Sequence, residues 1–321
     1  MSPPIRPIVV IRRCIDFDAC RYNGQVIRAS LREELEPHIE LRPICPELEI
    51  GLGVPRDPVR LVTAAGGPRM VQPSTGRDLT RSMNRFSRTY LGGVEDADGF
   101  ILKSRSPSCG VRNAKLFHSG AESAGHDSGA GLFTVRVLER FPYAAVEDEG
   151  RLNDLRLRDH FLTKLWALAS FRLAAQGGAA AIVEFHSRNK LLLMAHNQTR
   201  MRELGQLVAH AGAAARDELV TAYRRGLGAA LGRPARPGNN VNVLMHALGH
   251  VSEQLSMRER SHFLATLSSY REGKAPLGAA QAIVGAWMVR FEVPNLAGQT
   301  FFAPYPPALV RLERPRRRGA A

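Results

Sequence analysis

Short apolar runs separated by polar, glycine-rich stretches mark the first 150 residues, and longer runs with a helical period mark the rest. Ile8 to Ile11 is a continuous apolar run opening a β-rich stretch that reaches Ile15, the pattern of a strand buried on both faces. Residues 30–37 predict a short helix with Ser30 as N-cap and Glu33 at the capping-box spacing. Ile39 to Ile44, Arg69 to Gln72 and Gly99 to Lys103 predict further strands. Helices are predicted within Thr75 to Leu91, with Asp78 near the start, and over Ser128 to Phe141, ahead of a strand at Tyr143 to Glu147. Strand, loop and helix alternating at this pace predict an α/β fold with a doubly wound, mostly parallel sheet.

Beyond Gly150 the period changes. Asp154 to Ala175, Val183 to His196, Asn242 to Leu255 and Leu277 to Phe291 each predict a helix, and Met201 to Ala214 prolongs the second. Arg233 to Asn240 reads as a loop, and Ser256 with Glu259 forms a capping box opening a helix that closes near Gly273. The second half is expected to be all-α. Together the patterns divide 321 residues into domains at 1–152 and 153–321.

Charge sharpens that division. Residues 1–150 hold 20 Lys and Arg against 19 Asp and Glu, whereas residues 151–321 hold 24 against 11. A neutral half joined to a basic half suggests a chemistry domain beside one that meets a polyanion; a basic surface with dispersed charge is the plainer reading. The tail Arg314 to Ala321 carries four arginines and is expected to be disordered. No apolar run is long enough to span a membrane, and the Ile8–Ile11 run is too short for a signal-peptide core, so a cytoplasmic location is expected.

Cysteine is distributed the other way: Cys14, Cys20, Cys45 and Cys109 all lie in the first half. Cytosolic thiols stay reduced, which favours metal binding or catalysis over disulfides. Cys14, Cys45 and Cys109 each fall at or just after a predicted strand end, where open α/β sheets bind ligands. Three such thiolates suit a zinc site with an open or histidine-filled position, or a 4Fe–4S cluster one ligand short; buried core cysteines are the structural alternative. Cys20 is open as a fourth ligand. Glu47, two residues after Cys45, could serve as general acid or base, and Ser106 and Ser108 flank Pro107 just before Cys109. His246 and His250 have the spacing of a helical metal pair, but no carboxylate partner accompanies them, and packed or surface histidines are the reading adopted.

Several separated motifs then coincide in order. Cys14 with Arg21-Tyr22-Asn23-Gly24, Cys45-Pro46-Glu47 with Gly51-Leu52 and Pro55-Arg56, Lys103 to Gly110, and Val146 to Leu152 resemble the thiouracil desulfidase (TudS-like) family over residues 7–152. Phe185 to Asn197, Asn242-Val243-Leu244, Tyr270 to Lys274 and Pro294 to Gln299 resemble the YbgA-type C-terminal domain. The two together resemble RudS-type desulfidases, which remove sulfur from thiouridine in tRNA. The resemblance implies a 4Fe–4S cluster on Cys14, Cys45 and Cys109, with one iron left open for the thiocarbonyl sulfur. It also implies that Glu47 and Ser106 are catalytic, and it leaves Cys20 outside the ligand set. Asn23 stands where the family carries Asp, and Arg12-Arg13 replaces small residues, with an altered pocket rim as the expected result.

The expected function is a non-redox, hydrolytic C–S desulfidase converting 4-thiouridine in tRNA to uridine. Free 2-thiouracil as substrate, or a non-enzymatic RNA-binding iron–sulfur protein, are the alternatives. Substrate contacts are expected from Arg21, Tyr22 and Ser108, and from Arg188 and Lys190 in the helical half. Arg200, Arg202, Arg224, Arg225, Arg271 and Lys274 are further phosphate candidates.

Overall fold

In a computed structural model that describes residues 5–118, 125–212 and 215–311, the run after Pro7 forms β1 (Ile8–Arg12), buried along its whole length. It lies between β2 (Glu40–Ile44) and β6 (Gly99–Leu102), both parallel to it, and β6 pairs in parallel with β9 (Ala145–Asp148). The sheet order is β2-β1-β6-β9. Burial on both faces is why β1 and β6 read as unbroken apolar runs. β2 sits at the edge, where Pro43 and charged side chains are tolerated. This is the expected α/β architecture with a parallel sheet.

A second sheet, ordered β5-β4-β3-β7-β8, is built from β3 (Arg60–Val62), β4 (Arg69–Gln72), β5 (Arg77–Asp78), β7 (Ala114–Phe117) and β8 (His126–Gly129). Only its β3–β7 pairing is parallel. Of its five strands the sequence pattern predicted one, because strands of two to four residues with exposed polar positions leave no readable alternation. The helix expected from Ser128 is divided as a result: residues to Gly129 belong to β8, and α4 spans Leu132–Arg140.

The other helices of this region are α1 (Leu31–Leu35), α2 (Pro46–Glu49) and α3 (Thr80–Gly92). α3 packs on α4, and Phe86, Tyr90 and Phe133 meet with ring centroids 5.6 to 6.3 Å apart over a core that includes Met70, Met83 and Phe100. The predicted cap of α1 is replaced. Ser30 makes no side-chain cap; instead the Asp16 carboxylate accepts the N–H groups of Ala29, Ser30, Leu31 and Arg32 at 2.6 to 3.2 Å. A capping carboxylate from 15 residues upstream satisfies the same orphan donors that a local cap would.

The chain divides into two compact units, residues 1–169 with 308–321, and residues 170–307. The division falls within α5 (Leu155–Gln176). The second unit has no strand among its described residues and is built on helices: α6 (Gly178–His196), α7 (Gln198–Ala209), α8 (Arg216–Ala230), α9 (Pro237–Gly249), α10 (Met257–Arg271) and α11 (Leu277–Phe291). Pro237 occupies the first turn of α9, a position that tolerates its missing N–H, so the helix begins inside the predicted loop. The Ser256–Glu259 capping box is present. Phe171, Phe185 and Tyr223 form an aromatic core with centroids 5.0 to 5.9 Å apart, and His186 Nδ1 lies 3.0 Å from the Tyr223 hydroxyl. The arginine tail at 314–321 lies outside the described residues, as do residues 213–214 of the predicted Met201–Ala214 extension.

Candidate active site

Because every strand of the first sheet is parallel, all the carboxyl ends lie on one edge. Cys14 follows β1 by two residues, Cys45 follows β2 directly, and Cys109 follows β6 after a loop. All are buried and free, as is Cys20. The Cys20 thiol hydrogen-bonds those of Cys14 and Cys45, holding both below the ordinary thiol range, while its own is pushed up. Burial pushes the Cys109 thiol up to about 12.

Arg12 ends β1 and is only 2% exposed, with the thiols of Cys14, Cys45 and Cys109 and the Glu47 carboxylate as its neighbours. It therefore lies in the interior of the site rather than on the expected rim; Arg13 takes the half-buried position, beside Asp18 and Glu49. Two of its nitrogens, Nε and Nη1, are buried without a hydrogen-bond partner. Unpartnered donors of a buried cation are costly, and a bound anion would relieve them.

Cys45 caps α2, and Pro46 takes the first helical position, which turns Glu47 back under the sheet edge. Glu47 Oε1 accepts from the Ser108 hydroxyl at 2.6 Å and lies 3.4 Å from Ser106 Oγ and 3.6 Å from Arg12 Nη2; Oε2 is paired with Arg56. Burial pushes this carboxyl up, but Arg12 and Arg56 with the Ser108 hydrogen bond outweigh it and hold the group below the usual carboxylate range. Glu47 is thus a buried anion and a weak base. Ser106 and Ser108 are 3.0 Å apart, and Ser106 Oγ accepts the Cys109 N–H at 3.2 Å.

The loop carrying these groups is held at both ends. Glu149 accepts from Lys103 Nζ at 2.6 Å and from the Ser104 N–H and hydroxyl at 2.8 Å. At the far end, the first-turn N–H groups of α4 donate to loop carbonyls: Leu132 to Pro107 at 3.1 Å, and Phe133 and Thr134 to Ser108 at 3.0 and 3.2 Å. Gly131 permits that approach, since a Cβ there would lie 2.4 Å from the Ser108 carbonyl.

Cys14, Glu47 and Ser106 line a cleft of about 710 Å³, with Arg21 and Tyr22. Eight Arg and Lys side chains line it, against the carboxylates of Glu47 and Asp148. Four of the cations, Arg21, Arg60, Arg105 and Lys115, form no ion pair among the described residues. Ser108 is fully buried behind Glu47. Arg188 and Lys190 are exposed on α6 and belong to the other unit. Sequence reasoning assigned no role in the site to Arg56, Lys103, Glu149 or Asp148, although each lies within one of the family-like motifs, and it placed Arg12 on the rim rather than inside.

Among the described residues, no three His, Cys, Asp or Glu side chains converge on a site for a single metal ion. Soft thiols from separate strand ends, surrounding a buried guanidinium with unpartnered N–H groups, suit a larger anionic group such as an iron–sulfur cluster.

A family model described as 2-thiouracil desulfurase matches residues 9–149, and one described as a protein of unknown function (DUF1722) matches residues 190–306. The uncharacterized protein YbgA of Escherichia coli (strain K12) is 32% identical over 158 residues, covering 48% of this chain and 94% of that protein. The uncharacterized protein YbbK of Bacillus subtilis (strain 168) is 28% identical over 155 residues, 46% of this chain and 99% of that protein. No solved structure gives a significant match.

Proposed function

From the premise that the chain belongs to the family joining a 2-thiouracil desulfurase domain to a YbgA-like DUF1722 region, we propose that it removes sulfur from 4-thiouridine in tRNA. The observation that carries this reading is the meeting of Cys14, Glu47 and Ser106 in one cation-lined cleft at the carboxyl edge of the parallel sheet. Cys14, Cys45 and Cys109 are the residues that would hold a 4Fe–4S cluster. When bound, such a cluster supplies an iron without a protein ligand, a soft partner for a thiocarbonyl sulfur.

The reaction balances without electron transfer: C=S and water give C=O and hydrogen sulfide. In this reading Arg12 holds the anionic charge of the site. Glu47 orients the attacking water by accepting a hydrogen bond from it, since a carboxylate held below its usual range and clamped by two arginines is better suited to positioning than to taking a proton. Ser108 and Ser106 keep the carboxylate in place, and Ser106, which lines the cleft, faces the substrate.

The cations favour a phosphate-bearing substrate over a free base. Arg21, Arg60, Arg105 and Lys115 in the cleft can neutralise phosphates next to the thiolated base, and the exposed Arg188, Lys190, Arg224 and Arg225 can do the same elsewhere on a tRNA. The target base would leave its stack to enter the cleft.

The test offers bulk thiolated tRNA and free thiouracil in parallel to anaerobically reconstituted protein. Loss of the long-wavelength ultraviolet absorbance of 4-thiouridine, abolished by Cys109→Ala, is the expected result. Turnover of free thiouracil alone would keep the chemistry and remove the tRNA role. Turnover of neither, with the cluster intact, would overturn the desulfidase reading.

A further inference from the structure

One group on the carboxyl edge has no part in the chemistry above. Asp148 closes β9, opposite Leu102 of β6, so the edge presents Cys45, Cys14, the 104–110 loop and Asp148 in the order of the strands. Asp148 lines the same cleft as Cys14, Glu47 and Ser106. Strands stand about 4.8 Å apart, so β9 lies roughly 10 Å across the edge from β1. A flat six-membered ring with its exocyclic atoms spans most of that distance.

Asp148 is 1% exposed, and its two oxygens differ. Oδ1 accepts the Arg151 N–H at 2.9 Å, whereas Oδ2 is buried without a hydrogen-bond partner. Burial pushes the carboxyl up; the Arg151 N–H opposes that, and Glu149 and Glu147 add to it. Glu47, the other carboxylate in the cleft, has both oxygens engaged by Arg56, Arg12 and Ser108. Every other charged side chain lining the cleft is Arg or Lys, which only donates.

A uracil-type ring, thiolated or not, carries acceptors at its two exocyclic positions and a single ring N–H between them. The cleft is rich in donors for the acceptors. Among the described residues that line it, the carboxylate oxygen with no hydrogen-bond or ion-pair partner is Asp148 Oδ2.

We propose that Asp148 is a substrate-recognition residue whose Oδ2 accepts the imide N–H of a uracil-type ring bound in the cleft. The assignment rests on the desulfidase reading for the identity of the ring. It makes the protein selective for bases with that N–H and disfavours rings whose nitrogen is alkylated or unprotonated. The selectivity follows because the analogue leaves a buried carboxylate oxygen unpaired.

Calorimetric titration of the full chain with uridine 5′-monophosphate and with its N3-methyl analogue tests this without sulfur or turnover. The wild type is expected to bind the parent about 10- to 100-fold more tightly, the range of a hydrogen bond to a charged group. Asp148→Ala should bring the two affinities to within about twofold. Asp148→Asn, which keeps the shape and an acceptor oxygen, should retain part of the preference, and its thermal melt guards against a folding artefact. Equal affinities in the wild type, no binding of uridine monophosphate, or an undiminished preference in Asp148→Ala would overturn the assignment. Failure of the desulfidase reading is separate: it appears as no sulfide release from thiolated substrate, whatever the calorimetric preference.

Discussion

Glu47 keeps its negative charge at 6% exposure because two guanidiniums face it and Ser108 donates to it. Removing that charge leaves Arg12 and Arg56 buried without a counter-ion, a change that costs about 3–5 kcal/mol in comparable buried pairs. Glu47→Gln is therefore expected to lower the melting temperature markedly and, by misplacing the water, to cut desulfuration by about 10²-fold, measured by sulfide release. The pH dependence has a definite sign. A carboxyl depressed in the folded state binds fewer protons there than in the unfolded chain, so its stabilisation is present above the ordinary glutamate range. It is lost as pH falls through the lower, folded value. Melting temperature plotted against pH should thus fall on the acid side in the wild type, with a shallower fall in Glu47→Gln. An equal fall in both would remove Glu47 as its source.

At the scale of elements, the decisive contact is between the start of α4 and the loop that carries Ser106, Ser108 and Cys109. The helix donates its free N–H groups to loop carbonyls, and Gly131 is what lets the two backbones meet. Gly131→Ala is expected to push the loop away, reducing iron bound after reconstitution and destabilising the fold by about 1–3 kcal/mol. Iron content and a denaturant midpoint equal to wild type would count against that role. This contact also marks the limit of what the sequence discloses. β1 and β6 were readable because burial on both faces leaves an unbroken apolar run, and from them followed the placing of Cys14 and Cys109 after strand ends; Cys45 followed from the separate Ile39–Ile44 pattern, the edge strand β2. The second sheet was not, since its strands are too short and too polar to show a period. Nor was the Asp16 cap of α1, whose donor and acceptor are joined only by a left-handed turn and a loop. Arg12 misled for a similar reason: an arginine after four apolar residues looks like the end of burial, and here the thiols and Glu47 keep it inside. His246 and His250 are both exposed, in keeping with the plain reading of that pair.

Over the whole molecule the positive charge is concentrated in the half that follows residue 150. If that surface meets phosphates, affinity for tRNA must fall steeply with salt, and each lost phosphate contact should reduce the slope of log K against log salt by a little under one for duplex regions. Replacing Arg188 and Lys190 together with alanine is expected to flatten the slope by about one to two and to weaken binding alike for thiolated and unthiolated tRNA. A salt-independent affinity would show that the charge has another use. No helix among the described residues is long and apolar enough to cross a membrane.

The parallel order of the first sheet has a consequence for how the protein matures. A Cys-x-x-Cys knuckle can capture metal on a fragment a few residues long, even as the chain leaves the ribosome. Here Cys45, Cys14, Cys109 and Asp148 reach one edge from four different strands, each separated from the next in sequence by a crossover. Non-local pairing of this kind forms late and all together. If a cluster is held as proposed, no short fragment of the chain could capture it, and the form that a delivery system would meet is one in which the thiols are already gathered around Arg12.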